Sequence, residues 1–435
     1  MDKKGLLTQW ANSVVGACHS GALTGDATKP IPISQVALVP GPRAGALGLH
    51  AGLKSGDLVR IFSKDDAAIL RQFVPWNFVG EPACYMSGRY VRVEAGWPDE
   101  LADRDIKLRD LGQHPKHGGR WLAGRNEYGG TVTLGLHDQT PSFLFAGTTG
   151  SGKSWALVSA VGQLCQDPDN KIVLIDGKFG DGLLPVANVA NLVGPLATDL
   201  ETGRAALSWS VSEMRRRYSE RDLKGRVIVV IDEVQELTTK DDVCTDLIRR
   251  LTSQGRGAKV FTILATHHPV ASMLGGQSTI KNTVPGRLAL KVLNAKASEV
   301  AMGDSTPRAD HLLGAGDAYA KTPKACYRAQ LAYIPENELV ALPRSDPLLT
   351  EWESFDPECM GTMPEPESAT GFDATETAIS LIAAHYGKGR PFLKDMLENV
   401  TGSKPGSSRA GRLRDWGREI NVLLHKYHHR LTMTD

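Results

Sequence analysis

The stretch Phe143-Leu-Phe-Ala-Gly-Thr-Thr-Gly-Ser-Gly-Lys-Ser154 runs from an apolar strand signal into a glycine-rich turn that ends in Lys-Ser. Gly147, Thr148, Thr149, Gly150, Ser151, Gly152, Lys153 and Ser154 fit G-x-x-x-x-G-K-[ST] in full. Glycines let successive backbone N–H groups turn inward around a phosphate, in conformations closed to residues with a Cβ. Lys153 is placed to reach the β- and γ-phosphates, and Ser154 to put its hydroxyl on Mg²⁺. The helix expected from Ser154 onward presents its positive end to the same anion.

Working outward, strand-like runs alternate with helix-length segments from about 130 to 340. The runs are Ser142–Ala146, Lys171–Asp176, Arg226–Asp232, Lys259–Thr266 and Arg287–Val292. This alternation predicts an α/β domain with a mainly parallel sheet. Arg226-Val-Ile-Val-Val-Ile-Asp-Glu233 is a buried-strand run ending in two acids. Asp232 is the expected second holder of Mg²⁺, and Glu233 the group that polarises the attacking water. A complete phosphate loop followed by this acidic pair reads as an NTPase that takes ATP and Mg²⁺.

The rest of the chain divides by composition. Residues 1–35 read as a leader with one helix. Residues 36–112 read as a small α+β module with β-type runs such as Asp57–Phe62 and Tyr90–Glu94. Residues 113–341 form the expected motor. Residues 342–373, rich in Pro, Glu, Asp and Ser, read as a linker. Residues 374–435 carry three helical patterns, Thr375–Tyr386, Pro391–Val400 and Ser407–Trp416, the last one basic. Three short helices predict a helix-turn-helix, with Arg409, Arg412 and Arg414 facing a DNA groove. His425, His428 and His429 have no partnering Cys or acid cluster and read as surface residues.

A net charge of +1 in 435 residues gives no global pull toward polyanions, so partners must be read segment by segment. The six cysteines are scattered without a Cys-x-x-Cys, which fits thiols in a reducing cytoplasm rather than a disulfide frame or a zinc site. The apolar runs are strand-sized, and the polar residues soon after the first leucines argue against a signal peptide. A cytoplasmic location is the expectation.

The phosphate loop resembles that of the FtsK/SpoIIIE family of DNA translocases. Seven further stretches follow in that family's order. They are Lys171–Lys178, Ala206–Tyr218, Ile231–Leu237, Gln254–Phe261, Leu264–Pro269, Ile280–Arg287 and His311–Asp317. The resemblance implies a RecA-like motor that assembles as a hexameric ring on double-stranded DNA, in DNA transfer or segregation. It makes Arg256 the candidate cation supplied to a neighbour's site, with Arg287 second. His267 stands where the family has a sensor glutamine. Lys281 and Arg287 flank a turn that the resemblance places near the channel and its DNA phosphates. Arg409–Leu413 is similar to part of the family's C-terminal winged-helix module.

Departures are visible. Gly177 replaces a proline, His267-His268 replace Gln-Arg, and the segment between Tyr218 and Arg226 is short. The family's membrane-spanning N-terminal part has no counterpart, which implies a stand-alone motor with element-encoded or membrane transfer proteins as partners. Two other readings stay open. One is a HerA-like, conjugative coupling or packaging ATPase on single-stranded DNA. The other is a DNA-binding regulator switched by ATP.

Overall fold

The computed structural model describes residues 2–52, 58, 62, 66–115, 117–178, 180–269 and 283–354. The expected C-terminal helices, and with them Arg409, Arg412 and Arg414, lie outside the described residues, as does Lys281.

The N-terminal module is a four-stranded antiparallel sheet. Its strands are β1 (Ile33–Pro40), β2 (Ala44–Ala51), β3 (Val79–Ser87) and β4 (Tyr90–Gly96), in the order β1-β2-β4-β3. Helix α1 (Lys3–Ser20) starts at Asp2, whose carboxylate accepts the Gly5 N–H at 2.7 Å, and stops at Gly21 in the left-handed region. Its Leu6, Trp10 and Val14 pack with Leu47, Leu49, Val91 and Val93 into one core. Residues 1–35, set apart by composition as a leader, are thus built into this module. Trp10, Phe78 and Trp97 stack in series at centroid distances of 5.3 and 5.1 Å.

One expectation here fails. Asp57–Phe62 reads as a β-type run, yet Leu58 and Phe62 are helical and both are buried in the same core. Both side chains are buried together, and packing of the core decides their conformation over the β-propensity of the run.

The motor is built on nine strands. They are β5 (Arg120–Asn126), β6 (Thr131–Gly135), β7 (Ser142–Ala146), β8 (Asn170–Asp176), β9 (Arg226–Asp232), β10 (Val260–Thr266), β11 (Gly286–Leu290), β12 (Asp317–Lys321) and β13 (Cys326–Leu331). The order is β6-β5-β13-β12-β11-β7-β10-β9-β8. From β11 to β8 all neighbours are parallel, and from β11 to β6 all are antiparallel. The sheet is therefore mixed rather than mainly parallel. Short β5–β6 and β12–β13 connections permit only antiparallel neighbours, whereas parallel ones need long crossovers. The five strands read from the sequence form the parallel half. The crossovers include α2 (Lys153–Leu164) after β7 and α3 (Leu200–Glu220) after β8.

Residues read as the start of a linker are pinned to the motor. The Ala190 N–H donates to Pro343 O at 2.7 Å, and the Leu348 and Leu349 N–H groups donate to Leu192 O and Val193 O. Trp352 donates to Pro195 O at 2.8 Å, and its indole fills the space over Gly194, where a Cβ would come within 2.7 Å of the ring. Proline and acid content flagged a linker, but backbone pairing along a sheet edge does not register in composition.

A buried charge network joins the N-terminal module to the motor. Arg328 on β13 pairs with Glu94 on β4 and forks onto Asp317 at 3.0 and 2.7 Å. Arg92 pairs with Glu94 and with Glu127, and Tyr85 donates to Glu94 at 2.5 Å. Burial opposes the Glu94 charge, but Arg328 and Arg92 outweigh it and hold the carboxyl at about 2. The folded value thus lies below the ordinary 4.5. The resulting stability is present above pH 4.5 and is lost as pH falls toward 2. Urea midpoints taken between pH 5 and 3 should fall steeply for the wild type. Glu94→Gln should start lower at neutral pH and fall less, and an equally steep fall would remove Glu94 as a cause.

Candidate nucleotide site

Parallel register brings the ends of three neighbouring strands together. Thr266 at the end of β10 pairs with Ala146 at the end of β7, and Leu264 pairs with Ile231 on β9. Gly147–Ser154, Asp232-Glu233 and His267 therefore emerge on one edge of the sheet. Ligands in open α/β sheets collect at this carboxyl edge.

The loop is held by its backbone. The Gly147 N–H donates to Thr266 O at 3.2 Å, and Thr148 donates through its N–H and its hydroxyl to Lys291 O at 2.9 and 3.0 Å. The Gly316 N–H donates to Ser151 O at 2.8 Å. Gly152 has φ 98° and forms the N-cap of α2 without a side-chain cap. The first N–H groups of α2 thus remain open to an anion. A Cβ on Gly147 would come within 2.5 Å of the Ser151 hydroxyl, so the loop leaves no room for a side chain there. That hydroxyl is buried and has no hydrogen-bond partner among the described residues. Thr149 and Gly150 form the exposed tip, and Ser154 is half-buried in the first turn of α2.

Lys153 is buried and pairs with Asp232, while Glu233 lies 3.4 Å from the ammonium. Burial lifts the Asp232 carboxyl above its usual value, and Lys153 only partly offsets this. Burial also opposes the Glu233 charge. There Lys153, Gln235 and His267 together outweigh it and hold the carboxyl below the usual range. Glu233 itself has a left-handed backbone, with φ 50° and ψ 51°, which is uncommon outside glycine. Its carboxylate accepts from Gln235 at 2.6 Å and pairs with Nδ1 of His267. Lys153, Asp232, Glu233 and His267 are therefore brought together.

Two members of this cluster carry no role in the sequence reading. Asp176 ends β8 and pairs in register with Asp232. Its carboxylate accepts the N–H groups of Lys178, Gly182 and Leu183 at 2.8, 3.0 and 3.3 Å. A Cβ on Gly182 would lie 2.6 Å from the Asp232 carboxylate and 3.3 Å from that of Asp176, so the two acids flank this glycine. The Lys171–Asp176 run ending in an acid was a usable signal for Asp176. Gln235 follows Glu233 at a spacing that no periodicity marks, and only the turn into the short helix Val234–Thr238 brings its amide back.

Arg256 stands apart. It is exposed on the turn Gly255–Ala258, between the helix Asp242–Gln254 and β10, and its side chain makes no hydrogen bond or ion pair with the described residues. The Tyr218 hydroxyl fixes this turn by donating to Gln254 O at 2.6 Å, and Gly257 leaves the room that hydroxyl needs. The turn precedes the seven residues of β10. At about 3.3 Å per residue that puts Arg256 on the order of 20 Å from its own phosphate loop.

Arg287 departs from both of its expected roles. It lies on β11 in the middle of the sheet and is buried, and burial lowers its guanidinium to about 10. Enclosed beside Gly303, its side chain is not presented to solvent as either role requires. The sequence reading opened a strand at Arg287 beside a turn, and the strand begins one residue earlier, at Gly286, inside the sheet.

Among the described residues no group of three or more His, Cys, Asp or Glu side chains could hold a metal by itself. No described helix is long and apolar enough to cross a membrane.

The sequence profile of the FtsK/SpoIIIE family matches residues 122–226, which span the phosphate loop and the start of β9. The DNA translocase FtsK of Leptospira interrogans serogroup Icterohaemorrhagiae serovar copenhageni is 30% identical over 267 residues, covering 54% of this chain and 27% of that protein. FtsK of Mycobacterium tuberculosis H37Rv is 28% identical over 318 residues, covering 63% and 37%. The chain thus spans 27 to 37% of the length of these translocases. Among solved structures, the conjugation coupling protein TcpA of pCW3, in its monomer form with ATPγS, superposes with a TM-score of 0.52 at 18% identity. That match covers 78% of this chain and 99% of TcpA. The cytoplasmic domain of the type VII secretion ATPase EccC of Thermomonospora curvata gives 0.50 at 20% identity, covering 58% and 36%. At such identities these two likenesses show the fold alone. Residues 122–226, with the phosphate loop at their centre, carry the signature of the FtsK/SpoIIIE family.

Proposed function

We propose that this chain is an ATP-driven translocase of double-stranded DNA, with a RecA-like motor that works as a ring, most simply a hexamer. The observation that carries the reading is the meeting of Lys153, Asp232, Glu233 and His267 at the mouth of the glycine loop. Relatives named DNA translocase support the choice of DNA as the object moved.

The residues fit a nucleotide and a metal. The loop is too tight for a side chain at 147, the Ser151 hydroxyl has no partner among the described residues, and the Lys153 ammonium rests on acids that a triphosphate can replace. Ser154 and Asp232 would hold Mg²⁺, which when bound neutralises charge on the phosphate oxygens. Lys153 moves from Asp232 to the phosphates and frees that carboxylate. Glu233, kept ionised by its neighbours, takes the proton of the attacking water. His267 and Gln235 hold the Glu233 carboxylate in place, and His267 is the group that registers loss of the γ-phosphate. Arg256 serves the site of the adjoining subunit, because its own site is a strand length away.

Steady-state ATP hydrolysis should be measured without DNA, with single strands and with long duplex, using Lys153→Ala as the blank. Strong stimulation by long duplex that vanishes in the blank is the expected result. Hydrolysis indifferent to duplex would sink the translocase reading. Stimulation by single strands alone would move it to the coupling-ATPase class.

A further inference from the structure

Trp155 follows Ser154 in the first turn of α2 and is 44% exposed. Residues 156–164 of the same helix are all buried. Among the residues of α2, Trp155 is the one exposed side chain. Its ring meets Tyr333 in a T-shaped contact, with centroids 6.0 Å apart and planes at 72°. In that geometry an edge of one ring touches a face of the other, so Tyr333 covers at most one face of Trp155.

Tyr333 is held on several sides. Its carbonyl accepts the Leu108 N–H at 2.9 Å, its N–H donates to Ile106 O at 3.1 Å, and its hydroxyl donates to Asp105 at 2.6 Å. The strand that leads to it also touches the phosphate loop. The Leu331 N–H donates to Gly316 O at 2.7 Å, and the Gly316 N–H donates to Ser151 O at 2.8 Å. An aromatic pair is thus tied through Gly316 to the backbone of the loop at Ser151.

We propose that Trp155, backed by Tyr333, is the platform on which the base of the bound nucleotide stacks. The inference rests on the nucleotide reading of the glycine loop. Trp155 directly follows Lys153 and Ser154 in α2, and an adenosine joined to the phosphates they hold is long enough to reach it. Every base has a π-face, so an open indole face stacks it whatever its hydrogen-bonding edge. Tyr333 adds rigidity rather than a second face, since its hydroxyl is already committed to Asp105.

The test compares ATP with inorganic tripolyphosphate, which has the phosphates and no base. Calorimetry on the whole chain with Mg²⁺ gives both affinities. Trp155→Ala should weaken ATP about tenfold, at the scale of one base–aromatic stack, and leave tripolyphosphate unchanged. Trp155→Phe should regain most of the loss. Equal weakening of both probes would mean local damage to the loop and would overturn the proposal, as would unchanged ATP affinity. A wild type that binds neither probe would bring down the nucleotide reading itself, whereas one that binds both alongside an indifferent Trp155→Ala refutes only the stacking platform.

Discussion

Glu233→Gln and Arg256→Ala should each hydrolyse ATP at less than about one-hundredth of the wild-type rate, and mixing the two should restore activity. The restoration follows from geometry. Glu233 lies beside its own Lys153, while Arg256 sits at the far end of β10 on an exposed turn. An Arg256→Ala subunit keeps its own Glu233 and borrows an intact Arg256 from a Glu233→Gln neighbour. Random one-to-one mixing gives a complete site at roughly one interface in four, each worth the full cation effect of about 10³-fold or more. Duplex-stimulated hydrolysis of the mixture, against each variant alone, is the measurement. A mixture as inactive as its parts would remove Arg256 from a neighbour's site. Glu233→Gln should still bind ATP, because its amide oxygen can accept from Gln235 as the carboxylate does.

Replacing Arg328 should be the most destabilising single change outside the nucleotide site. Its guanidinium is buried and answers both Glu94 and Asp317. Arg328→Met leaves the buried Asp317 without its ion-pair partner and Glu94 with Arg92 alone, a loss of about 3–5 kcal/mol for breaking a buried pair. Chemical denaturation at pH 7 should show the drop. Adding Glu94→Gln and Asp317→Asn to the same chain should recover about half of it or more, because neutral partners no longer need the charge. A triple variant as unstable as Arg328→Met would mean that arginine packing, rather than charge balance, sets the cost. Glu94 belongs to the N-terminal module and Asp317 to the motor sheet. The same variant should therefore expose the connection between them, residues 97–119, to protease.

The parallel half of the motor was readable because its strands are buried on both faces. That burial demands near-continuous apolar runs, and Arg226–Ile231 and Val260–Ala265 are two of them. The antiparallel half escaped. β12, Asp317–Lys321, and β13, Cys326–Leu331, are short, and each carries a buried charge where alternation would call for an apolar residue. Those charges belong to the network with Glu94, whose members are distant in sequence, so no local pattern announces it. Arg287 failed for the same reason in reverse. An arginine beside a Pro-Gly turn looks exposed until the sheet closes around it.

The sequence by itself determined the phosphate loop, the acidic pair that ends β9 and the α/β class, because each depends on contiguous residues whose spacing is set by strand, turn and helix geometry. Only the tertiary structure decided that His267 and Gln235 grip Glu233, that Asp176 flanks Asp232, that Arg256 lies a strand length from its own site and that α1 completes the N-terminal core. Apart from the local Gln235–Glu233 bond, these are relations between segments far apart in the chain. Parallel register and burial of shared faces bring them together, and neither is written in any one stretch of residues.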